Sequence, residues 1–472
     1  MSEMTPGRRS GVLAICCLSL FIVGVDVTGV NLALPSISRD LGATGSELQW
    51  VIDAYTLVLA SLLMLSGSMG DRLGRRSVFQ TGLVLFGLGS LLCSAAQTPG
   101  FLVAARAVQA VGGSMLNPVA MSIITNTFRE PKERAQAIGL WGATVGLSMA
   151  LGPVLGGVLV DAVGWRAIFW LNIPVVVAAL ALTAVFVPES RAERVRRLDP
   201  VAQVLVVALL ASLTYAIIEG RTLGWGSPTV LGCFTAAGVA VVVLVGYELR
   251  RTEPLLDPRF FASIPFSGAV LSAILGFCAM GGFLFLNTLY LQDVRGLSPL
   301  QAGLMTLPMA GATAVMSPIS GRIVGAVGPR VPMVVAGAGI ALSALMLLRV
   351  EAGTSMVHLG LAYLAFGIGF GMLNAPITNA AVSGMPRAQA GVAAAIASTS
   401  RQVGVSLGVA VLPTIAYGHL HGPAATGLAG ALHPAWWLML GCGLAILALA
   451  LVTTSAVAIR TRDRAAAALG AA

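Results

Sequence analysis

The chain reads as long apolar runs separated by short polar, glycine- or proline-bearing breaks, and most of the runs are too long to be strands. They predict fourteen helices, near 12–35, 48–68, 77–96, 99–124, 136–160, 167–187, 201–219, 229–248, 264–290, 301–324, 331–350, 356–381, 391–416 and 434–458. At about 20 apolar residues per bilayer crossing, fourteen crossings take about 280 residues. That is close to the 57% of the 472 residues that are hydrophobic. With only 10% of residues charged, a water-soluble domain of this size could not cover its own surface. The composition excludes a soluble enzyme, a nucleic-acid-binding module, a disordered protein and a single-anchor receptor. The expected fold class is an all-α polytopic membrane protein.

Charge placement sets the expected orientation. The net charge of +9 is not gathered into a patch; the basic residues alternate with the apolar runs. With the amino terminus inside, 21 of the 28 fall on inner loops and five outside (Arg39, Arg166, Arg221, Arg295 and Arg349), while Arg106 and Arg401 lie within helices. Basic residues favour the cytoplasmic side, so both termini are expected in the cytoplasm of a cell-membrane protein. The first apolar run is longer than a secretory signal and carries Asp26, so it reads as an uncleaved helix. All six cysteines fall in apolar stretches without metal-like spacing and read as small packing residues.

Two charged segments divide the chain. PESRAERVRRLDP at 188–200 follows six helices, and LRRTEPLLDPRFFASIPF at 249–266 follows two more. The expected organisation is a six-helix bundle over 1–190, a connector with helices 7 and 8 over 191–255, and a second six-helix bundle over 256–472. An internal repeat supports the division: GSMGDRLGRR at 67–76 aligns with GRIVGAVGPR at 321–330, matching Gly67 to Gly321, Gly74 to Gly328 and Arg76 to Arg330. Asp71 and Arg72 are replaced by Gly325 and Ala326 in the second copy. Related halves with substrate between them are a common transporter plan.

Of 19 acidic residues, only Asp26 and Asp53 lie clearly inside predicted helices. Each costs about 2.5–3.5 kcal/mol near a membrane centre on insertion scales, so both need a purpose. Helix rise places Asp26, Asp53 and Arg106 at one level, where a carboxylate beside a guanidinium either titrates as a proton site or forms a fixed ion pair joining helices 1, 2 and 4. Arg401, deep in helix 13, has no evident acidic partner and either bonds carbonyls or meets an anionic part of a substrate. Helix 5 carries Gly142 and Gly146, then Gly152 and Gly156, four apart on one face, with Pro153 between and Gly157 following. Such a face permits close helix approach, and a bent tight seam limits leakage. Asp71, among glycines in the 67–76 loop, is placed to meet the positive end of a nearby helix.

Two enzyme-like patterns are rejected. GVSLG at 404–408 lies in a membrane helix without the strand-to-helix turn of a nucleophile elbow. GIGFG at 367–371 follows no strand. The four histidines sit at helix ends or in the last outer loop without catalytic partners, and no cofactor, metal or nucleic acid is expected. The chain is not read as an enzyme.

At these residues the chain resembles the major facilitator superfamily, specifically its fourteen-helix drug:proton antiporter branch, over nearly its whole length. The loop motif is carried by Gly67, Gly70, Asp71, Arg72, Gly74, Arg75 and Arg76; ARAVQAVGG at 105–113 resembles the fourth-helix motif, with Arg106 its basic residue; Gly142, Gly146, Gly152, Pro153, Gly156 and Gly157 resemble the antiporter motif. DVTGVNLALP at 26–35, WVIDAYTLVLA at 50–60 and WRAIFWLNIP at 165–174 are similar to further signatures of the branch. The resemblance implies two six-helix bundles with an inserted two-helix hairpin, acting as a monomeric proton-coupled multidrug or antibiotic exporter by alternating access. It implies proton coupling through Asp26, Asp53 and Arg106, and gating at the 67–76 loop. Expected substrate-lining residues are Asn31, Tyr55, Asn117, Asn374, Arg401 and Gln402. Some members carry acids in helices 10 and 13 that are missing here, so a monocation, zwitterion or neutral amphiphile fits better than a dication. A proton symporter, an exporter of an endogenous metabolite and a non-transporting sensor share the fold.

Overall fold

A computed structural model describes residues 6–128, 130–191, 199–251, 257–383, 390–420 and 424–470. The described secondary structure is helical, and thirteen helices are long and apolar enough to cross a membrane. The fourteenth expected crossing, 136–160, falls in a helix only part of whose side chains are described; its Leu147–Ala162 portion is apolar.

The first compact unit comprises Met1–Leu198 together with Ser298–Leu304. Its helices are α1 (Pro6–Leu41), α2 (Gly45–Leu73), α3 (Arg75–Ser94), α4 (Pro99–Thr127), α5 (Pro131–Ala162) and α6 (Arg166–Phe186). Helix α4 packs on α2 and α3, and α1 packs on α5 and α6. The core is an apolar cluster built on Phe79, Leu83, Phe86, Leu116 and Ile124.

The second unit comprises Asp199–Leu297 and Met305–Ala472. It contains α7 (Pro200–Leu223), α8 (Pro228–Glu248) and α9 (Ile264–Leu289), the last continuing into a π-helical turn at Tyr290–Val294. After α10 (Pro299–Met305), which lies mostly in the first unit, come α11 (Leu307–Val327), α12 (Arg330–Leu347), α13 (Met356–Val382) and α14 (Ala390–Gly418). The chain ends with α15 (Ala424–Ala431), α16 (His433–Thr453) and α17 (Ala456–Gly470). Helix α9 packs along α14, α11 along α13 and α12 along α16. Phe283 stacks on Phe366 at 4.7 Å and meets Tyr363 edge-on.

Helix starts are written locally. Thr98 before Pro99, Asp199 before Pro200 and Ser227 before Pro228 each put a side-chain acceptor at the cap and a proline in the first turn, where its missing N–H is not needed. Thr44 and Glu47 form a reciprocal capping box at α2. Helix α1 outruns the apolar segment 12–35 at both ends, because polar Arg8, Arg9, Ser36 and Arg39 continue the helix without continuing the hydrophobic run. The expected helix 301–324 is broken at Thr306, where Pro308 lies in the first turn of α11 and cannot donate back into α10. The glycine packing expected of 367–371 is present: Gly367 abuts Met309, and Gly369 abuts Ala336 and Ile340.

Candidate functional site

Helices α1, α2, α3, α4 and α6 bring their few polar groups to one dry centre. Asp26 and Arg106 are 0% and 1% exposed, and Arg106 Nη1 meets Asp26 Oδ2 at 2.6 Å. The depth argument for this pair therefore holds. Removing two charges from water is repaid only if the remaining polar atoms are also bonded. For the carboxylate they are: Gln109 Nε2 and Asn172 Nδ2 donate to Asp26 Oδ1 at 2.9 and 2.8 Å, and both also donate to Ser90 Oγ. Arg106 Nη1 further donates to Gln109 Oε1 at 2.6 Å, and its Nε donates to the Val51 carbonyl at 3.2 Å. The guanidinium lies 4.2 Å from the Tyr55 ring centre, in cation–π contact.

Asp53 is buried on α2, two residues beyond Val51, and its Oδ1 accepts from Thr56 Oγ1 at 3.1 Å. Tyr55 serves as a platform for Arg106. Asn31 folds back to the Val27 carbonyl at 3.0 Å, and Asn117 is only partly buried on α4. In the second unit, Asn374 on α13 and Gln402 on α14 are both partly buried, and Arg401 donates through Nη2 to Thr378 Oγ1 at 2.6 Å. A depression of about 270 Å³ lined by Ser36, Asp40, Trp165 and Arg166 opens at the far end of α1. It lies fourteen residues, roughly 21 Å of helix, from Asp26 and is separate from the polar centre.

In the 67–76 motif Asp71, near the end of α2, meets the first residue of the following helix α3: its Oδ1 accepts from Arg75 Nε and Nη2 at 3.1 and 2.8 Å. The start of α3 is taken by Glu189, whose carboxylate accepts from the Arg76 and Ser77 backbone N–H groups at 3.1 and 3.2 Å and from Ser77 Oγ at 2.6 Å. Partial burial raises the Glu189 pKa, but the donors on Ser77, Ser190 and Arg76 outweigh it and hold the carboxyl below its usual range. Gly74 has φ +119°, and a Cβ there would meet the Glu189 carboxylate at 2.6 Å. Its repeat partner Gly328 also has positive φ, +87°, so both copies turn out of a helix in the same way.

Helix α5 uses two faces. Gly152 and Gly156 face α1, where added Cβ atoms would strike Thr28 and, at 2.9 Å, the Gly29 Cα. Pro153 and Gly157 face the segment 298–304: a Gly157 Cβ would lie 2.6 Å from the Leu300 Cα, and Asp161 Oδ2 accepts from Ser298 Oγ and Leu300 N at 2.9 and 3.1 Å. The surroundings of Gly142 and Gly146 lie outside the described residues. Sequence reasoning missed Gln109, Asn172, Ser90, Glu189 and Asp161. Of these, Gln109 had a usable signal, lying one helical turn beyond Arg106.

Membrane-crossing helices in two compact units, with a buried, hydrogen-bonded ion pair in the first, define a polytopic membrane transporter. The chain belongs to the Major Facilitator Superfamily, whose profile matches residues 16–409. It is 37% identical over 401 residues to the multidrug resistance protein Stp of Mycobacterium tuberculosis (strain ATCC 25618 / H37Rv), covering 84% of this chain and 74% of that protein. It is 36% identical over 408 residues to the tetracenomycin C resistance and export protein of Streptomyces glaucescens, covering 86% and 76%. Its fold is similar to a bacterial homologue of the human lysosomal transporter Spinster, with a TM-score of 0.67, 18% identity and coverage of 98% and 99%.

Proposed function

We propose that this protein exports small amphipathic organic molecules, antibiotics and other drugs among them, in exchange for protons by alternating access across the cytoplasmic membrane. The observation that carries the reading is the Asp26–Arg106 pair with its Gln109 and Asn172 donors. Protonating Asp26 removes the negative half of that pair, so proton occupancy and the packing of α1 against α4 and α6 are linked by the same contact. In this reading Asp53 is the second proton-binding carboxylate, and Arg106 tunes both. The loop from Gly67 to Arg76, with Asp71 and Arg72, gates the cytoplasmic side. Asn31, Tyr55, Asn117, Asn374, Arg401 and Gln402 contribute to the substrate path. The export direction is supported by relatives named for resistance and export. The protein acts as a monomer with both termini in the cytoplasm.

The driving force suffices without nucleotide. One charge crossing 100 mV supplies about 2.3 kcal/mol, roughly a 50-fold gradient, and each pH unit adds about 1.4 kcal/mol. The test is uptake of a panel of fluorescent drugs into everted vesicles under an imposed pH gradient, with wild type, Asp26→Asn and Asp53→Asn at matched expression. Wild type is expected to accumulate drug only with the gradient, and the variants to lose accumulation. Uphill transport without pH gradient or voltage, or variants that match wild type, would overturn the reading. Gradient-driven movement in the opposite direction would identify a symporter.

A further inference from the structure

The two intramembrane arginines are held in opposite ways. Arg106 has a carboxylate, an amide oxygen, a backbone carbonyl and an aromatic face around it. Arg401 has, among the described residues, one neutral partner, the Thr378 hydroxyl, which itself donates to the Asn374 carbonyl at 3.0 Å. Its Nε is covered and meets no acceptor among the described residues.

The sequence offers little else. Between Asp257 and Asp463 the only acids are Asp293 and Glu351. Tyr290 Oη donates to the Glu351 carbonyl, which puts the two acids at the same end of the second unit. Gly404 packs on Ile274, so Arg401 lies level with the first third of α9. Asp293 is about twenty residues further along, roughly 30 Å at 1.5 Å per residue. Snorkelling takes the arginine only part of the way to the helix ends. Arg401 is nine residues, roughly 14 Å, inside the span that begins at Val392, and Thr378 lies four residues, roughly 6 Å, inside the end of α13. The guanidinium therefore stays within the helices, while Thr378 is exposed and Arg401 partly so.

A permanent cation kept at this depth with no counter-charge in contact among the described residues is suited to receive one. We infer that Arg401, with Thr378 and Asn374, forms a binding site for the carboxylate of an amphipathic substrate, carried either as an organic anion or as the negative end of a zwitterion. The planar guanidinium with free N–H groups matches a carboxylate in two parallel hydrogen bonds, and the Thr378 hydroxyl fixes its orientation. This inference rests on the export reading and adds the substrate class.

The test uses matched acids and esters: rhodamine B against its ethyl ester, followed by fluorescence anisotropy on the purified protein, with 2-naphthoate and its methyl ester as competitors. Wild type is expected to bind each acid at least about tenfold more tightly than its ester, the difference a charge-assisted bidentate contact makes. Arg401→Gln is expected to lose that preference while its affinity for the esters stays within about twofold, and Arg401→Lys to keep part of it. Wild type without preference for the acids overturns the inference and needs no variant to fold. So does Arg401→Gln retaining the preference, or weakening acid and ester alike. Accumulation of the ethyl ester in everted vesicles is measured alongside: if it follows the pH gradient while the acid preference is absent, the carboxylate site fails and the export reading stands.

Discussion

Replacing Asp26 by Asn tests whether the buried pair is matched as tightly as its geometry implies. The carboxylate uses both oxygens: Oδ2 takes Arg106, and Oδ1 takes the amide groups of Gln109 and Asn172. An asparagine keeps one oxygen and turns the other position into a donor, which must face either the guanidinium or the two amides. It also deprives Arg106, 1% exposed, of the carboxylate it touches. Breaking a buried pair in this way costs about 3–5 kcal/mol. Adding Arg106→Gln removes the stranded charge, so the double variant is expected to recover to within about 2 kcal/mol of wild type. Buried Cys16, Cys93, Cys278 and Cys442 supply the assay, since a thiol-reactive dye labels them only as the protein unfolds. Transport is measured on the same preparations. The double variant is expected to be folded and yet to show no proton-driven accumulation. If Asp26→Asn is within about 1 kcal/mol of wild type, or the double variant is as unstable as the sum of the singles, the matched-pair reasoning is refuted.

Glu189 gives a pH prediction. Its carboxyl sits below the usual range in the folded protein, so its contribution is complete above the unfolded pKa and is lost as pH falls through the lower, folded value. Protection of the Arg76 and Ser77 amides from hydrogen exchange, taken against the intrinsic rate at each pH, should therefore hold at pH 5 and fall only below the ordinary glutamate pKa, a dependence that Glu189→Gln abolishes. Gly156→Val drives a side chain into the Gly29 backbone and is expected to cost about 1–3 kcal/mol and stop transport, whereas Gly139→Ala, with nothing within 4 Å, leaves both unchanged. The Asp71–Arg75 pair is 37% and 14% exposed, so Asp71→Asn should shift the unfolding free energy by no more than about 1 kcal/mol. A much larger loss of transport than of stability in that variant would place its role in gating; equal losses would place it in folding.

How much could be read from the sequence depended on which residues carry a signal that survives averaging. Apolar runs gave the helices, because hydropathy is a local signal; the cap residues before Pro99, Pro200 and Pro228 are as local but were not used to place the starts. Asp26 and Arg106 were legible because charges in a membrane helix are conspicuous and helix rise converts position into depth. The neutral amides Gln109 and Asn172 complete the same site but raise no such alarm among apolar neighbours; only contact across five helices reveals them. Glu189 was hidden for the opposite reason, as one acid in the charged stretch 188–200, where composition suggested a solvated connector. Thr306 was missed as a break because the hydropathy of 301–324 is continuous, although Pro308 was there to mark it. Asp71 does meet the start of the following helix, through the Arg75 side chain.

The two copies of the loop motif both keep a glycine of positive φ, Gly74 and Gly328, yet eleven of the 19 acids lie in residues 1–198 and only four in 256–472. On the proposed reading, changes in which compounds a cell survives should gather among residues 264–453, while the stretch around Asp26, Asp53 and Arg106 tolerates little drift.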